Sequence, residues 1–128
     1  MKTILVDAVG AFVIEGQGIY EPMFDLLETY PNKKIILTGA NDEQMDIFGL
    51  RDLPYELFTL KHNPEKTDKN YFEQLLEKYT LKADDVMYFE HNPEAVKSAQ
   101  SVGIISYYYD PDLKDMSALK EFLDNNLK

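Results

Sequence analysis

The sequence predicts an α/β fold: a three-layer, Rossmann-like arrangement of a five-stranded parallel sheet with helices on both faces. Three observations predict it. Five short apolar runs recur along the chain, at residues 4–6, 34–37, 57–60, 86–89 and 104–109. The first, second and fourth are continuous rather than alternating, the pattern of strands covered on both faces. Between the runs lie amphipathic stretches with helix start and stop signals, and that alternation is the mark of βαβ units.

The first strand ends on an acid, Asp7, and the chain turns at once through Gly10. Residues 12–20 carry Gly16 and Gly18 and no helical stripe, so they read as a short hairpin or flap beyond the strand end. "EPMFDLLETY" has Pro22 in its first turn, where proline is tolerated, and Met23, Leu26, Leu27 and Tyr30 on one stripe. The second strand runs into Thr38-Gly39 and then "NDEQMDIFGL", with Asn41 as cap and Met45 and Phe48 as the apolar side. "TDKNYFEQLLEKY" takes Thr67 or Asp68 as its cap and turns Tyr71, Phe72, Leu75, Leu76 and Tyr79 inward. The fourth strand ends in Glu90-His91-Asn92, and "NPEAVKSAQSVG" begins on Asn-Pro and stops at Gly103. "SYYYD" reads as strand core with edge packing, and "DMSALKEFLDNNL" as the final helix.

Composition narrows the function classes. A chain of 128 residues, 45% apolar, is expected to form one domain over 1–128 with a proper core. Without cysteine there is no disulfide framework and no thiolate metal site. No apolar run approaches the ~20 residues of a membrane span, and an acid at position 7 interrupts any leader-like run. The expected location is the cytoplasm, with no membrane contact. Thirteen basic against 23 acidic residues give a net charge of −10, dispersed along the chain, which opposes binding to nucleic acid.

Ligands of open parallel sheets bind at the carboxyl ends of the strands, near the point where strand order reverses. Three strands here deliver polar groups to that edge: Asp7, Thr38-Gly39 and Glu90-His91-Asn92. With "KTDKNYF" added between the third and fourth strands, four motifs stand in fixed order, "DAVGA", "IILTGAND", "KTDKNYF" and "VMYFEHNPEAV". In that order they resemble the haloacid dehalogenase (HAD)-like hydrolase superfamily, in its capless form, from position 4 to about 109.

The resemblance implies a chemistry. Asp7 would be the nucleophile that attacks phosphorus, splitting one hard step into two. Thr38 and Lys66 would hold the phosphoryl oxygens, with Lys69 as an alternative register for the lysine. Magnesium would be held by Asp7, the carbonyl of Val9 and an acid from the fourth strand, where Glu90 and His91 stand. The substrate class implied is a phosphorylated small molecule or a phosphoprotein. Three positions depart from the family pattern. Val9 stands where the family's general acid belongs, Ala11 replaces a threonine, and His91 aligns with the metal-binding acid. "DAVGA" is close to the Asp-Ala-Tyr-Gly-Thr of the haloacid dehalogenases proper. Those enzymes draw an arginine from an inserted cap, and the single arginine here, Arg51, lies elsewhere. The expectation is a phosphohydrolase with weak or impaired turnover and weak magnesium binding. The second reading is an inactive binding or regulatory module on the same scaffold.

Overall fold

The computed structural model describes residues 1–127. In chain order its elements are β1 (Thr3–Asp7), β2 (Val13–Ile14), β3 (Gly18–Ile19), α1 (Glu21–Glu28), β4 (Lys34–Thr38), α2 (Asp42–Ile47) and β5 (Glu56–Thr59). Then come α3 (Lys69–Lys78), a single 3₁₀ turn at Ala83–Asp85, β6 (Val86–Glu90), α4 (Pro93–Ser101), β7 (Ile105–Tyr108) and α5 (Met116–Asn126). The five longer strands form one parallel sheet in the order β5-β4-β1-β6-β7. The order reverses at β1, between β4 and β6, so the C-terminal ends of those three strands meet at the switch point.

The continuous apolar strands are buried throughout, and their alternate residues feed two cores. Ile4, Val6, Ile36, Met87 and Phe89 pack with Met23 and Leu27 of α1 and Leu119 and Leu123 of α5 on one face. Leu5, Ile35, Leu37, Val86 and Tyr88 pack with Tyr71, Phe72 and Leu75 of α3 and Ala99 of α4 on the other. This is the three-layer arrangement the sequence predicts. The side chain of Asp68, not Thr67, caps α3 by accepting from the Asn70 amide at 2.9 Å. Asn41 and Gln44 cap each other reciprocally at the start of α2. β7 is an edge strand with a partner on one side only, and Ile105 and Tyr108 are 43% and 47% exposed, whereas Tyr109 is buried.

The segment after β1 is a hairpin, as expected, but a shorter one than residues 12–20. β2 and β3 pair antiparallel, Val13 opposite Ile19. Phe12 and Val13 belong to the core rather than to a flap, at 0% and 1% exposure. Phe12 sits in an aromatic cluster, 5.5 Å from the ring of Tyr55 and 6.2 Å from that of Phe24. Burial of that large ring fixes the base of the hairpin and leaves its tip, Glu15 to Gly18, exposed. Among the described residues no helix is long and apolar enough to cross a membrane.

Candidate active site

β1 carries Asp7 to the switch point because a strand buried on both faces ends where its last side chain turns toward the sheet edge. Around it a cavity of about 200 Å³ is lined by Asp7, Val9, Thr38, Gly39 and Ala40, by Gln44 and Phe48, by His62, Glu65 and Lys66, and by His91. Asp7, Thr38, Lys66 and His91 therefore share one cavity. Lys69 is exposed at the start of α3 and is not part of it, so the structure selects Lys66 between the two registers.

Lys66 joins the two buried acids. Its ammonium donates to Asp7 Oδ1 at 2.8 Å and to Glu90 Oε1 at 2.6 Å, and lies 3.4 Å from the Leu37 carbonyl. The other Asp7 oxygen, Oδ2, accepts from the His91 amide at 3.1 Å and from the His91 ring at Nδ1. That same Nδ1 lies 3.2 Å from Glu90 Oε2. Glu90 is wholly buried beneath the cavity rather than lining it. Besides Lys66 it accepts from the Tyr88 hydroxyl and, at 3.0 Å, from the Asn92 amide.

Burial, then the Glu90 carboxylate, pushes the Asp7 carboxyl above its ordinary value, against the pull of Lys66 and His91. Burial opposes the charge of Glu90 too. There the Lys66 ammonium and the hydrogen bonds from His91, Lys66 and Tyr88 outweigh it, and Glu90 is held well below the usual carboxylate range. Lys66 is likewise desolvated, yet Asp7 and Glu90 keep it charged by raising its pKa. Hydrogen bonds to Asp7 and then Glu90 push His91 up to about 10, against its partial burial. Two carboxylates thus face two cationic side chains in a balanced cluster.

The β4 side of the cavity is built differently. Thr38 Oγ1 accepts from the Ala40 amide at 3.1 Å, and Thr59 Oγ1 donates to the Ala40 carbonyl at 2.6 Å. Tyr71, buried in α3, donates its hydroxyl to the Thr38 and Phe58 carbonyls at 2.8 and 3.2 Å. These bonds set the Thr38-Gly39-Ala40 turn from below. At the mouth, His62 bonds to Glu65 at 3.0 Å and to Gln44 Oε1, with Lys61 and His62 both in the left-handed backbone region. His62, Glu65 and Gln44 belong to no motif, and Phe48 reads from the sequence only as the apolar side of α2. Their signal is position: His62 and Glu65 stand on the loop after β5, and Gln44 and Phe48 on the helix after β4 and at its end, beside the ligand-binding edge. Both histidines of the chain line this cavity, and each side chain is 36% exposed. The hairpin residues 13–20 do not line it; Val9 at the hairpin's base does.

Asp7, Glu90 and His91 offer ligand atoms within 4.8 Å of one another, so a metal can be tested against them. Magnesium asks for near-octahedral oxygen ligation, whereas imidazole suits zinc, copper or nickel. Lys66 already lies on both carboxylates, and Glu90 spends its oxygens on four donors. The side chains as arranged do not fit magnesium.

A central parallel strand ending in an acid, beside a Thr-Gly turn, a lysine bonded to that acid and an acidic end of the neighbouring strand, is thus set at the switch point of a five-stranded parallel α/β fold. Solved structures carry the same fold. A HAD family enzyme from Bacteroides thetaiotaomicron, in complex with magnesium and inorganic phosphate, matches with a TM-score of 0.68 and 13% identity. The match covers 93% of this chain and 98% of that one. The core domain of a protein assigned as a phosphoglycolate phosphatase from Streptococcus pneumoniae matches at 0.65 and 16% identity, over 97% and 96%. A 2-haloacid dehalogenase from Pseudomonas syringae matches at 0.63 and 19% identity, over 88% of this chain but only 54% of its own. The fold is that of the HAD-like superfamily. No protein-family model matches the sequence, and no curated protein matches it in sequence.

Proposed function

We propose that this domain binds the phosphoryl group of a phosphorylated small molecule or phosphoprotein and transfers it slowly to Asp7. The observation that carries the reading is Lys66, whose ammonium touches Asp7 at 2.8 Å inside a cavity that Thr38 also lines. A lysine so placed stabilises the negative charge that develops on phosphoryl oxygens and offsets that of the nucleophile. Attack by an Asp7 carboxylate oxygen forms the bond to phosphorus while the bond to the leaving oxygen breaks. That oxygen leaves with its electron pair, and Val9 has no proton to give it. Water must then attack phosphorus of the aspartyl-phosphate, releasing phosphate and returning the Asp7 carboxylate, again with no base at position 9. Turnover should therefore be slow, and its first step should depend steeply on the leaving group.

The test is a panel of phosphate monoesters graded by leaving-group acidity, assayed with the wild type and Asp7→Asn. Activity on aryl phosphates that falls sharply toward alkyl phosphates, and is abolished in Asp7→Asn, supports the reading. Phosphate binding by wild type with no turnover of any ester would leave a binding module instead.

A further inference from the structure

We propose that the His91 imidazole holds, on Asp7, the place of a divalent cation, so that the cavity takes a phosphoryl group without magnesium. The inference deepens the phosphoryl-binding reading and in its second clause rests on it. Three observations support it. The ring nitrogen Nδ1 lies between two carboxylates, bonded to Asp7 Oδ2 and 3.2 Å from Glu90 Oε2, where a shared cation would sit. With no donor facing it there, this nitrogen carries the hydrogen and presents it to both acids. Second, the loop is shaped for the ring. Gly10 has φ +100°, and a Cβ at that position would come within 2.9 Å of the His91 ring atoms. Third, the Lys66 ammonium bonds to the same two acids, 2.8 Å from Asp7 Oδ1 and 2.6 Å from Glu90 Oε1, so ring and ammonium together engage both carboxylates.

A dication entering here would have to displace the ring from Oδ2 or lie against the Lys66 ammonium, which is already within 2.8 Å of both acids. Either route costs the hydrogen bonds that hold Asp7 in place. The ring and the ammonium between them already answer both carboxylates, and the exposed edge of His91 lines the cavity where phosphoryl oxygens would lie. His91 in this role is a positioning residue, whose amide and ring nitrogens both donate to Asp7 Oδ2.

Calorimetric titration tests the inference in two arms. In the first, magnesium alone is titrated into wild type, His91→Asp and His91→Asn, each checked for folding by circular dichroism. Wild type and His91→Asn should show no magnesium binding at millimolar concentration, and His91→Asp should gain it. In the second arm, inorganic phosphate is titrated in chelator and again with millimolar magnesium. Wild-type affinity should be the same in both, whereas His91→Asp should bind phosphate only with magnesium present.

Submillimolar magnesium binding by wild type would overturn the inference. So would a gain of about tenfold or more in wild-type phosphate affinity on adding magnesium. Zinc binding that shifts the His91 ring nitrogens in an NMR spectrum would also overturn it, since the ring would then be a ligand. If neither protein binds phosphate under any condition, the phosphoryl-binding reading fails. The magnesium arm then decides the role of His91 by itself.

Discussion

The two walls of the cavity are made by different means. On the β1–β6 side, Asp7, Glu90, Lys66 and His91 form a buried cluster of opposite charges, with each carboxylate oxygen engaged by a donor. On the β4–β5 side, Thr38, Thr59 and Tyr71 hold a backbone turn through neutral hydrogen bonds. Neutral bonds are worth about 0.5–1.5 kcal/mol each and tolerate loss, whereas removing one partner from a buried charge cluster leaves a charge with nothing to answer it. The first wall is therefore the one where single changes have large effects, and its composition decides what the second wall can bind.

The largest effect is expected from converting the charged wall to an acid-and-metal wall. A Val9→Asp, His91→Asp double variant adds a proton carrier and a hard oxygen ligand. It should raise phosphatase activity on a generic ester ~10²–10⁴-fold in millimolar magnesium, measured against wild type in the same buffer. The two changes should act together, because proton donor and metal serve the same step. A folded, magnesium-binding double variant with wild-type activity would show that the Thr38 wall is no longer placed for catalysis.

Lys66→Met breaks the same wall by leaving Asp7 and Glu90 without their shared cation. It should cost about 3–5 kcal/mol in urea unfolding at neutral pH. The pH dependence has a definite sign. In wild type, Lys66 holds Glu90 below its ordinary 4.5, which adds stability above that pH and loses it on acidification. Without Lys66 the strongest lowering influence on each acid is gone, so both titrate higher than in wild type and the variant loses less stability on acidification. The gap between the two proteins should narrow as pH falls below 4.5. A gap that widens in acid would mean the cluster is not charged as described.

Gly10→Ala tests the fit of the loop under His91. The left-handed backbone and the 2.9 Å approach of a Cβ to the ring should together cost about 1–3 kcal/mol. Pairing it with His91→Ala should recover part of that loss, since the clash term vanishes with the ring. A double-mutant cycle with no coupling would remove the link between loop and ring. Smallest of all, Thr38→Val on the neutral wall should cost about 0.5–1.5 kcal/mol by removing the acceptor for the Ala40 amide. A stability loss there as large as that of Lys66→Met would erase the distinction between the two walls.

Much of this molecule was legible as pattern. Unbroken apolar runs identified the buried strands, and Asn41, Asn92 and Gly103 marked helix ends that the structure places as read. Asp7 and Thr38 stand out in the sequence as strand ends and Lys66 through the family resemblance, and the three line one cavity. Phe12 reads from the sequence as part of a flap because its burial depends on the rings of Tyr55 and Phe24, which only the fold brings to it. His62 and Glu65 belong to no motif; their place after the third strand points to the cavity edge, and only the tertiary structure sets the bonds of His62 to Glu65 and Gln44.

What the sequence by itself determined is the order of elements, the two-sided burial of the sheet and the list of acids and cations available at its edge. Those follow from local periodicity, capping and turn chemistry, which act between near neighbours. Only the tertiary structure decided the pairing among those charges. It drew Lys66 onto Asp7 and Glu90 together, sank Glu90 below the cavity floor, and laid the His91 ring over Gly10. Each of those contacts joins residues on different elements, and its strength depends on exclusion of water. A linear pattern carries neither the distance nor the burial that sets it.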